Sequence, residues 1–154
     1  FDYGTIAHSE DFLGRVARAS GRPILAMTSP AKPIDRVLVA YDGSTASADA
    51  LRAFAVLNAF GPSIVRVANC AEDDSDSGSL LEEGMSYLRL HGHTVEGVVL
   101  EGSPSTALLE HAEAWNADML VMGAVGRRGL SRLLLGDTAS SMLTRSDVPL
   151  LIRS

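Results

Sequence analysis

A chain of 154 residues, 46% of them hydrophobic, is long enough to bury one substantial core, so a single domain with a tail is expected. Its formal charge of -6 lacks the surplus of Lys and Arg that a sequence-independent nucleic-acid binder needs to neutralise phosphates. The single cysteine, Cys70, excludes an internal disulfide and a CxxC motif, and no apolar run or leader suggests a membrane span or signal peptide, so the cytoplasm is the expected compartment.

The stretch from Phe12 to Met27 reads as a helix followed by a strand that begins at a proline. Ser20, Pro23 and Leu25 line up with Ser146, Pro149 and Leu151 at one constant offset. Residues 1–33 are therefore expected to be the remnant of a preceding domain, with Thr28 to Pro33 as linker and Phe1 as the start of a truncated or processed chain. Residues 34–154 form the expected main domain.

Val37 to Tyr41 is a continuous apolar run that meets Asp42-Gly43-Ser44 at once, as a strand buried on both faces does where it ends in a tight turn. Ser44 or Thr45 can cap the next helix, in which Ala46, Ala50, Phe54 and Leu57 recur at helical spacing until Gly61-Pro62. Ile64 to Ala68 reads as the second strand. The acidic stretch from Glu72 to Gly78 reads as a surface loop, and the helix marked by Leu80, Leu81, Met85, Leu88 and Leu90 stops at Gly92. Thr94 to Leu100 is the third strand, Pro104 to Trp115 a helix, Met119 to Met122 the fourth strand, Gly136 to Ser146 the last helix, and Pro149 to Ile152 the fifth strand. Alternation of strands and helices predicts an α/β fold, with a parallel sheet covered on both faces. Ligands in such sheets sit beyond the carboxyl ends of the strands, where the strand order switches, which directs attention to Tyr41-Asp42 and Gly123-Ala124.

Beyond the fourth strand, Gly123 and Gly126 let main-chain amides approach a polyanion, and a helix starting near Gly136 offers unpaired N–H groups and a positive dipole end. Arg127, Arg128 and Arg132 supply positive charge nearby. The spacing Gly123-x-x-Gly126, nine residues, Gly136 resembles the ATP-binding signature of the universal stress protein family, G-x2-G-x9-G-[S/T]. Val37 to Ser44 is similar to that family's opening strand and turn, and Gly129 to Leu135 and Val148 to Ile152 follow its usual wording.

The resemblance covers about Ile34 to Ile152. It implies a Rossmann-like α/β fold with a five-stranded parallel sheet of order 3-2-1-4-5, here with an extra N-terminal helix and strand. It further implies an adenine nucleotide, with Mg²⁺ if that nucleotide is ATP. Ala40, Tyr41 and Asp42 would lie near the base and ribose. Met122 would belong to the nucleotide site, and Gly123, Gly126, Arg127, Arg128, Gly136, Asp137 and Thr138 of the glycine loop would surround the phosphates. Asp42 has a second, ligand-free reading as the carboxylate of an Asx turn. Family members pair through their last strands, and Ile24 to Met27 is expected to lie antiparallel to Leu150 to Ile152, covering two apolar edges.

The chain departs from the signature at Asp137, which stands where the family has Ser or Thr. A hydroxyl donates to phosphate, whereas a carboxylate about 4 Å away repels it by on the order of 1 to 4 kcal/mol. Three readings follow: a regulatory protein that binds nucleotide without turnover, a slow ATP hydrolase or phosphotransfer protein, and a ligand-free domain that supports a tandem or dimeric assembly. No GxxxxGK[ST] motif is present, the four histidines are scattered, and Ser105 and Thr106 have no evident base, so catalysis has no support in the sequence. Asp118 reads as a turn residue, Glu82-Glu83 as a solvated helix face, and His91-Gly-His93 as a polar turn.

Overall fold

The computed structural model describes residues 21–27, 32–57, 59–70, 76–124 and 145–153. Among them the chain runs β1 (Ile24–Ala26), β2 (Arg36–Ala40), α1 (Thr45–Leu57), β3 (Ile64–Cys70), α2 (Ser77–Leu90), β4 (Thr94–Leu100), α3 (Pro104–Trp115), β5 (Met119–Gly123) and β6 (Leu150–Arg153). The strands form one sheet in the order β1-β6-β5-β2-β3-β4. β1 pairs antiparallel with β6, and the other four pairings are parallel.

Counted by themselves, the five parallel strands follow the order 3-2-1-4-5. The expected five-stranded sheet is nevertheless corrected to six strands, because the N-terminal strand completes it. Ile24 lies opposite Ile152, Leu25 opposite Leu151 and Ala26 opposite Leu150, the antiparallel pairing anticipated from the two apolar segments. The helix expected in the stretch that begins at Phe12, the start of the acidic loop, and all but the final two residues of the helix expected from Gly136 to Ser146 lie outside the described residues.

Side chains of a strand alternate between faces, so each central strand feeds two cores. Val37, Val39, Val65, Val67, Met119, Val121 and Leu151 pack with Leu51 and Phe54 of α1 and Leu81 and Leu88 of α2. Leu38, Ala68, Leu120, Met122, Leu150 and Ile152 pack with Leu108 and Ala112 of α3 on the opposite face. Covering both faces is why these runs read as continuously apolar.

Local chemistry sets the helix ends. The Ser47 N–H donates to Ser44 Oγ at 3.1 Å, so Ser44 caps α1. Pro104 opens α3, where its missing N–H costs nothing, and Asn116 closes it in the left-handed region at φ 53°.

At the amino ends of the strands, Asp118 does more than turn the chain. Its Oδ2 accepts the Asp35 N–H at 3.0 Å and the Arg36 N–H at 2.8 Å, tying the entry of β5 to the entry of β2. His93 is 6% exposed rather than part of a solvated turn. Its ring stacks on Phe54 at 5.0 Å between centroids, and its Nδ1 accepts the Ser63 N–H at 3.2 Å. On the outer strands, the Arg66 guanidinium lies 4.4 Å from the Trp115 ring centroid, pairs with Glu96 and donates to His111 Nε2 at 3.1 Å.

Candidate functional site

The chain order runs outward from β2 through β3 to β4, then returns to the other side of β2 as β5 and β6. The carboxyl ends of β2 and β5 therefore flank the switch point at which an open α/β sheet leaves a crevice. Ala40 ends β2, and Tyr41, Asp42, Gly43 and Ser44 form the turn into α1. Gly43 has φ +72°, a conformation that opens this turn and that other residues rarely adopt.

Asp42 forms the anticipated Asx turn, with its Oδ1 accepting the Ser44 N–H at 3.0 Å. Tyr41 points elsewhere. It is 3% exposed, its ring belongs to the core under α1 and α2, and its hydroxyl donates to Glu83 Oε1 at 2.7 Å. Glu83 is thus the partner of a buried phenol as well as part of an exposed helix face. Burial first, and the Glu83 hydrogen bond second, push the Tyr41 hydroxyl up to about 12.

A latch that the sequence reading missed fixes this turn. The Tyr41 N–H donates to the Ala68 carbonyl at 2.9 Å, and Asn69 Nδ2 donates to the Tyr41 carbonyl at 2.7 Å. Ser77 Oγ then donates to Asn69 Oδ1 at 3.0 Å. With both of its main-chain polar groups paired, Tyr41 serves the site by holding Asp42 in place. Cys70 ends β3 next to this turn. Burial, and secondarily the Asp42 carboxylate, push its thiol up to about 11, so it is protonated and unreactive near neutrality.

On the other side of the crevice, Met122 is buried in the α3-side core, and Gly123 ends β5. A Cβ on Gly123 would lie 2.7 Å from the Ala46 carbonyl carbon and 2.7 Å from the Ser47 nitrogen. The bare main chain of Gly123 therefore lets the first turn of α1 close onto the end of β5. Asp42, Ser44, Ser47 and Gly123 are joined through successive contacts in one small region. Gly126, Arg127, Arg128, Gly136, Asp137 and Thr138 lie outside the described residues, so the phosphate half of the expected site has no geometry here.

Among the described residues, no group of three or more His, Cys, Asp or Glu side chains is placed to hold a metal. No helix among them is long and apolar enough to cross a membrane. An open hollow lined by Asp35, Arg36, Pro62, Ser63, Ile64 and Thr94 lies at the amino ends of the strands, across the sheet from Asp42 and Gly123.

Comparison with known proteins agrees with this geometry. The model of the universal stress protein family matches residues 33–153. The universal stress protein Slr1230 of Synechocystis is 25% identical over 89% of this chain and 48% of its own length. The chain spans about half the length of that curated relative. The crystal structure of a universal stress protein from Archaeoglobus fulgidus superposes with a TM-score of 0.74 at 26% identity, over 92% of this chain and 52% of that one. A universal stress protein in complex with cAMP superposes with a TM-score of 0.67 at 28% identity, over 80% of this chain and 98% of that one.

Proposed function

Because this chain belongs to the universal stress protein family, we propose that it is a stress-response binding protein that takes up an adenine nucleotide and does not turn it over. The observation that carries this reading is the convergence of Asp42, the α1 cap and Gly123 at the strand-order switch. The structural neighbour solved with cAMP supports the choice of ligand.

In this reading Ala40 and Asp42 border the base and ribose, and Tyr41 and Asn69 fix the main chain beneath them. Gly126, Arg127, Arg128, Gly136 and Thr138 hold the phosphates, with Mg²⁺ accompanying ATP as the counterion of its phosphates. Asp137 disfavours the more charged nucleotides, since its carboxylate repels each added phosphate. The same residue favours a second reading, a domain that has lost its ligand and serves a tandem or dimeric assembly through its last strand. The Archaeoglobus neighbour supports a tandem arrangement: it is about twice as long, and its match reaches over 92% of this chain. The cytoplasm is the proposed compartment.

The test is to purify the chain without added ligand, denature it and identify any released nucleotide. ATP, AMP and cAMP are then titrated against the wild type and Asp137→Ser. The proposal expects binding by both, tighter in the serine variant by up to about a thousandfold for ATP. Absence of binding by either at millimolar nucleotide would leave the ligand-free reading.

A further inference from the structure

Of the residues that end the five parallel strands, Ala40, Cys70, Leu100, Gly123 and Arg153, only Arg153 carries a charged side chain. It closes β6 directly beside the end of β5: Gly123 is its register partner, and the Ala124 N–H donates to its carbonyl at 2.7 Å. Leu150 and Ile152 belong to the core under α3, and Leu151 to the core under α1. Alternation along the strand therefore sets Arg153 on the α1 face. Gly123 has its bare side on that face too, since the space a Cβ would take is bounded by Ala46 and Ser47 of α1.

The fold does not satisfy the Arg153 guanidinium. Its Nη1 is buried and has no hydrogen-bond partner among the described residues. The other two arginines on the strands are engaged: Arg66 pairs with Glu96 and donates to His111, and Arg36 donates to the Trp115 carbonyl. The ion pairs among the described residues join Arg52 to Asp49, Arg66 to Glu96 and Arg89 to Glu82, and none includes Arg153. A cationic donor withdrawn from water without an acceptor is costly, and an anion lodged against it removes that cost. The planar guanidinium matches the paired oxygens of a phosphate. Neighbouring strands lie about 4.8 Å apart, less than the length of an extended arginine, so a phosphate at the end of β5 is within reach.

We propose that Arg153 anchors an oxyanion subsite at the carboxyl end of β6, which takes a phosphate group and lies outside the glycine-loop signature. The inference rests on the nucleotide reading only for the source of that phosphate, which is either the nucleotide or free inorganic phosphate. In the empty chain the same residue lowers stability, and the ligand relieves it.

The experiment uses the whole chain and Arg153→Met, which keeps an unbranched stem but removes the charge and the donors. Adenosine, AMP, ATP and inorganic phosphate are titrated by calorimetry into each. Arg153→Met is expected to weaken AMP and ATP about ten- to a hundredfold while leaving adenosine unchanged, with Arg153→Lys in between. The urea midpoint of the empty chain is expected to rise in Arg153→Met, an effect that a purely structural arginine would reverse. Phosphate bound by the wild type and lost in Arg153→Met, with no nucleotide bound by either, would support this subsite and refute the nucleotide reading. The proposal is overturned if wild type and Arg153→Met bind AMP and phosphate equally, or if adenosine is weakened as much as AMP. It is equally overturned if the wild type binds no phosphate-bearing probe. Unfolding of Arg153→Met overturns it as well, because the guanidinium would then serve the fold rather than an anion.

Discussion

Gly123 rests on Ala46 so closely that a Cβ added to the glycine would stand 2.7 Å from the Ala46 carbonyl carbon. Real side chains do not approach main chain to that distance, so α1 must shift when anything larger occupies the position. Gly123→Ala is expected to cost about 1 to 3 kcal/mol, read as a lower urea midpoint, and to weaken ATP binding by moving the Asp42 turn. Gly78 is the control, since a Cβ there meets nothing within 4 Å. Gly78→Ala should leave stability unchanged or raise it by about 0.4 to 1 kcal/mol.

The Asn69 latch makes a second prediction. Asn69→Ala leaves the buried Tyr41 carbonyl without its donor and Ser77 Oγ without its acceptor. The expected loss is about 1 to 3 kcal/mol, with the α2 start and the Asp42 turn gaining amide exchange together. An equal loss without exchange at both places would show that the latch does not couple them.

Alkaline titration examines Tyr41. A tyrosine in the unfolded chain ionises near 10, whereas Tyr41 in the fold ionises at about 12. The folded state therefore holds its proton longer, and stability falls as pH rises from about 10 to about 12. Absorbance at high pH should show a phenol step near 12, and Tyr41→Phe should remove it.

Two histidines give the opposite limb. Burial is the first cause lowering both His93 and His111; His91 adds to the shift of His93, and Arg66 to that of His111. Each stays neutral in the fold at a pH where the unfolded chain takes up a proton. Stability is therefore fully present above about 6.5 and falls as the solution is acidified below it. His93→Gln together with His111→Gln should flatten this dependence, followed by thermal melting between neutral pH and about 5.

Much of the fold was legible because central parallel strands are buried on both faces and leave continuous apolar runs, as in Val37 to Val39 and Met119 to Met122. The Ser44 cap and the Pro104 start were legible because they act within four residues of themselves. Asp118, Asn69 and Arg66 were not. Their partners stand 82, 28 and 45 positions away at Arg36, Tyr41 and His111, and only the completed sheet brings them together. Gly123 was read as room for a ligand, yet the structure shows that its missing side chain first makes room for a helix. The β1 strand and its antiparallel pairing with β6 were legible from the likeness of the two apolar segments, whereas the register that sets Leu25 opposite Leu151 emerged only in the sheet.

Trp115 is the only indole in the chain, and it sits beneath Arg66 with its own carbonyl accepting from Arg36 Nη1 at 3.0 Å. A fixed cation over an aromatic face alters the energy of the excited ring as well as that of the ground state. The protein thus carries a built-in optical label on β2 and β3, far from the proposed nucleotide crevice. Emission from this one chromophore follows the coming apart of the sheet's amino-end clasp, while changes confined to the Asp42 turn leave its colour untouched.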